Sequence, residues 1–68
     1  MSGAIRRYSV QREYDLARWA FDSAHEQFQM AEASQGEVEQ RAKRSAAQFM
    51  SDGFRHLSLA DQLLQEEN

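Results

Sequence analysis

Each of the two histidines has an aspartate within one helical turn of it. Asp22 precedes His25 by three positions and Asp52 precedes His56 by four. On a helix both spacings put a carboxylate and an imidazole on one face, the minimum for sharing a metal ion or a proton. A carboxylate-bridged metal centre in a helical bundle needs more: inward Glu residues from every helix, together with Glu-x-x-His pairs. Folding the chain back about its one good turn signal also puts residue 25 near residue 45, far from His56. Neither pair completes a ligand set, so no metal and no cofactor is expected, and a metal-binding bundle is only a minor alternative. His56 is expected to be a packed or interface histidine, and His25 a solvated one.

Arg41, Lys43 and Arg44, with Arg55 further along, are the residues suited to phosphate oxygens. Glu37 and Glu39 lie four residues before Arg41 and Lys43, the favourable order for pairing along one helix, so the cluster is expected to be spent on its own helix. A net charge of −3 also argues against nucleic-acid binding by bulk charge. An RNA- or DNA-binding regulatory bundle using these four residues stands as the alternative function. Its support is architectural, since some small RNA-binding regulators are hairpins of about this length. Covalent chemistry has less to work with. There is no Cys, no Gly-rich loop and no acid pair placed in a cleft, so the chain is not expected to be an enzyme.

The elements behind these residues are helices. Sixty-eight residues allow one small domain. Pro is absent, Gly occurs only at Gly3, Gly36 and Gly53, and Ala, Gln, Glu, Arg and Leu dominate. Val10, Tyr14, Ala17, Phe21, Ala24, Phe28 and Ala31 repeat at four-three spacing, alternating small and large residues along one seam. Ala46, Met50, Gly53, Leu57, Ala60 and Leu64 repeat the design. A small residue every seventh position on both segments lets two backbones approach closely. The pattern predicts an all-α antiparallel two-helix hairpin with a heptad small/large seam: helix 1 over about 10–33, a turn over about 33–37 and helix 2 over about 37–66. Gly36 or a Ser34–Glu37 capping box forms the turn. Ser9 is expected to cap the first helix, leaving residues 1–9 as an N-terminal arm. Ser51-Asp52-Gly53 could break helix 2, but Gly53 falls on the small-residue line, where close approach compensates a mid-helix glycine.

One seam is little with which to order the whole chain, and there are no disulfides to help. Helix 2 carries a second apolar line, Ala42, Phe49, His56 and Leu63, with Phe54 on its other flank. These five are the expected oligomer interface, through which hairpins pair into a four-helix bundle as a homodimer. Arg6, Arg7 and Arg12 should lie beside Asp61, Glu66 and Glu67 at the open end. Trp19 is expected opposite the seam with Leu16, Ser23 and Met30, as a partner-binding stripe or beneath a cover of the arm (Ile5, Tyr8) or a subunit contact. No leader or membrane span is apparent, and seven of the eight basic residues are Arg. The expectation is a cytoplasmic bacterial or phage protein that does not meet membranes and binds another protein. Its role would be that of an adaptor, an accessory subunit or a small mobile-element inhibitor.

Overall fold

A computed structural model describes the backbone of residues 3–66 and the side chains of residues 7–66. Two helices, α1 (Gly3–Glu32) and α2 (Gly36–Glu66), run antiparallel and pack against each other in a rod 51 Å long. The all-α hairpin expected from the periodicity is the observed fold. At the end of α1 the N–H of Ala33 is shared between the carbonyls of Gln29 and Met30, and Ser34 N–H reaches back to Ala31 O, each at 3.2 Å. These bonds tighten the last turn and satisfy carbonyls that a helix end leaves open. Gly36 then takes φ 68°, a conformation that costs other residues a clash between Cβ and the backbone. Glu37 and Glu39 follow in the first turn of α2, where the exposed N–H groups favour negative charge.

Two boundaries differ from expectation. Helix α1 begins at Gly3 rather than near residue 10, so Ser9 lies inside a helix and most of the expected arm is helical. Ala4 to Tyr8 contain neither Gly nor Pro, and a serine that can cap does not stop a helix when what precedes it also favours one. Helix α2 is unbroken through Ser51-Asp52-Gly53.

The contact line is the small-residue line. Val10, Ala17, Ala24 and Ala31 of α1 are buried against Ala46, Gly53 and Ala60 of α2. Gly53 is buried because the Phe21 ring lies over it; a methyl group there would come within 2.7 Å of that ring. Among the described residues the buried hydrophobic core holds only Ala and Val, and no large side chain is fully enclosed.

The rotation of the helices about this line makes the two flanks unequal. Apart from Phe21 over Gly53, the large aromatic and leucine residues of the seam stay outside the contact; Tyr14 and Phe28 remain 40% and 42% exposed, and Leu57 and Leu64 are open as well. The helices are turned toward the other flank. Ala20 and Ala42 are fully buried there, and Phe49, His56 and Leu63 are half-buried. The physical reason is size: Ala20 and Ala42 sit beside the small-residue line on that side and let the backbones close over them, whereas three large residues of α1 hold the other side open.

Candidate interaction faces

The hairpin has two broad faces, one on each side of the alanine line. The first is organised by Trp19. Its indole meets the Phe49 ring edge-on, with centroids 5.6 Å apart and planes at 87°, the arrangement favoured by the charge distribution of aromatic rings. Trp19 therefore does not stand on the far side of α1 from α2, as the heptad phase implies; its long side chain reaches round to the second helix. It is still 60% exposed. Leu16 and Ser23 beside it are half-buried, and Met30 is open further toward the turn. The expected cover is not provided by Tyr8, which is itself exposed, while the Ile5 side chain lies outside the described residues.

On the same flank His56 Nδ1 lies 2.5 Å from Glu13 Oε2. Both side chains are about four-fifths removed from solvent, so this is a cross-link between the helices and not a surface contact. It places three residues of the expected oligomer line within the hairpin. Ala42 is buried in it, Phe49 is used by Trp19, and His56 is used by Glu13. Leu63 is half-buried at the open end of this line. The sequence offered a signal that was missed: Glu13 and His56 lie at nearly equal distances from the turn, with side chains of complementary chemistry.

The second face is aromatic and open. Phe54, 56% exposed, packs edge-on against Phe21 at 5.2 Å, and the pair sits midway along the rod above Gly53. Phe54 is thus on the opposite flank from the other four residues of the expected oligomer interface. On either side of this pair the face opens into a shallow groove. One, of about 340 Å³ at the turn end, runs between Phe28 and Ala31 on α1 and Glu39 and Lys43 on α2. The other, of about 280 Å³ at the open end, is lined by Arg7, Val10 and Tyr14 with Leu64 opposite. Both are dents between helices, not enclosed cavities in which water could be excluded from a reaction.

The charged residues do not gather into one site. Lys43 pairs with Glu39 at 3.2 Å, as the four-residue spacing predicts, and Arg55 pairs with Asp52 at 3.2 Å, also forming a hydrogen bond. Arg41 and Arg44 are exposed near the turn, with Arg55 well along the helix from them. Asp52 is engaged by Arg55 and His56 by Glu13, so the Asp52–His56 pair is divided between two other partners. No group of three His, Asp or Glu side chains converges among the described residues. At the open end Gln11 bonds to Asp15 and Gln65 to Asp61, each at 3.0 Å, while Arg6 and Glu67 lie outside the described side chains. Among the described residues no helix is long and apolar enough to cross a membrane. No family model, curated protein or solved structure matches the chain.

Proposed function

We propose that this chain is a non-catalytic protein–protein interaction module, an adaptor, accessory subunit or small inhibitor, that holds another protein on the face carrying Leu16, Trp19, Ser23 and Met30. One observation carries the reading: Trp19 is mostly exposed yet already held in place by the edge-on contact with Phe49. An aromatic anchor ordered before binding loses little conformational freedom on association and presents a large apolar area, which is why Trp is enriched among the residues that dominate interface energies. Met30, flexible and exposed on the same side, can adjust to an irregular surface.

The test is a pull-down from the producing organism with the immobilised chain, comparing the wild type with Trp19→Ala and Met30→Ala. Both variants should keep the helical circular dichroism of the parent, because neither residue is buried. Trp19→Ala should weaken retention of the captured protein at least tenfold, corresponding to a loss of about 1.4 kcal/mol or more. Equal retention by wild type and Trp19→Ala would remove this face from the function. Loss of helicity would make Trp19 a structural residue instead.

A further inference from the structure

We infer that the open aromatic face is closed by a second copy of this chain, packed head to tail so that α1 lies on α1 of the other copy and the turn of each hairpin covers the open end of its mate. This deepens the interaction-module reading by assigning the second face, and leaves the Trp19 face free.

Three observations select this occupant. The first is the symmetry of the face itself. Tyr14, Phe21 and Phe28 are spaced seven apart on one line of α1. A two-fold axis through Phe21 and across the rod sends position 14 to position 28. Each Tyr14 then meets Phe28 of the other copy, and the groove at one end receives the aromatic lip of the other end. Such self-complementarity is the requirement for an isologous interface.

The second observation is charge. Before Phe21, α1 carries Arg7, Arg12 and Arg18 against Glu13 and Asp15, and after it only the acids Asp22, Glu26 and Glu32; among the described residues none of the three arginines or the last three acids takes part in an ion pair. Helix α1 also ends with Glu32 and has no basic residue in its last turn, although a helix C-terminus favours positive charge. The same two-fold operation carries position 32 to position 10 and so brings Arg7, on the open-end groove, within a helical turn of Glu32, on the turn-end groove, of the other copy. Placing the two turns together would instead set the acidic halves of both α1 helices at the same end of the bundle.

The third is area. The whole hairpin spans 51 by 14 Å between Cα atoms in its broad projection, an outline of about 700 Å², so a face running its length is of the order of the roughly 800 Å² per partner of a stable interface. It would enclose the large side chains that the hairpin's own core of Ala and Val leaves out.

The experiment is sedimentation velocity and circular dichroism across a concentration series for the wild type, Tyr14→Lys, Phe28→Glu, and an equimolar mixture of the two variants. The wild type should be a dimer. Each variant alone should raise the dissociation constant at least a hundredfold, and the mixture should return to a dimer. In the mixed pair the introduced ammonium and carboxylate face each other at one contact, while the native Tyr14–Phe28 contact survives at the other. Helicity lost in a single variant and recovered on mixing counts equally in favour. A second pair, Arg7→Glu with Glu32→Arg, changes only exposed charges; each alone should weaken the dimer about tenfold at low salt, with recovery on mixing. A wild-type monomer at all concentrations overturns the proposal and gives the face to a different protein. Variants that remain dimeric, or mixtures that stay dissociated, overturn the head-to-tail pairing. None of these outcomes depends on Trp19, so retention of a captured protein by the Trp19 face is judged separately.

Discussion

The Trp19 face and the Phe21 face flank one line of alanines, but they treat their large side chains differently. On the first, Phe49 is covered by Trp19, His56 is held by Glu13, and Ala20 and Ala42 let the backbones close, so most of the side chains beside the seam already have partners. On the second, Tyr14, Phe28 and Leu64 line open grooves, Leu57 is exposed, and among the described aromatic residues of this face Phe21 and Phe54 are the pair that meet. A face whose side chains are paired within the chain can present a single anchor. A face whose aromatic residues lack cover calls for a broad complementary surface. The difference shows that the hairpin is an asymmetric object built on a symmetric seam.

That comparison can be broken at its base by enlarging the seam. Ala46→Leu, or Ala24→Leu on the facing helix, inserts a branched side chain where the backbones touch and should destabilise the protein by about 3 kcal/mol. Urea unfolding measures it, and an unchanged midpoint for both variants would show that neither face depends on the close approach. A smaller effect sharpens the contrast between the faces. Glu13→Ala or His56→Ala should each cost about 2 kcal/mol, because either leaves a half-buried polar group without its cross-helix partner. In a double-mutant cycle the second substitution should add little to the first, whereas additive losses would mean that the Trp19 face is not locked by this contact. The smallest effect belongs to neither face. Gly36→Ala should cost about 1 kcal/mol through its positive φ alone, since the space around it is open. Its thermal melt serves as the reference for a change that leaves both faces intact.

Much of the molecule was legible in the residues. The seven-residue repeat of small side chains predicted two helices and their contact line, Gly53 fell on that line and stayed helical, and the turn lay around Gly36. Glu39 and Lys43 paired as their spacing required. The start of α1 was misplaced because a capping serine was read as a stop. His56 is packed, one of the two placements expected for it, but its partner Glu13 and the contact of Phe49 with Trp19 were not foreseen. The small-residue seam was read as the whole contact between the helices, with the bulky residues to either side of it, and the second apolar line of α2 was left for a neighbour.

The sequence alone determined helix type, pairing and the line of closest approach, because these follow from local propensity and a repeat that any straight pair of helices must obey. It did not determine how far each helix is turned about that line. Apolar residues flank the alanines of α2 on both sides, so the periodicity is nearly even in the two rotations. The tertiary structure decided between them through the sizes of Ala20 and Ala42, the ring of Phe21 over Gly53 and the Glu13–His56 cross-link. Those are contacts between residues distant in the chain, and their energies exist only once both helices are in place.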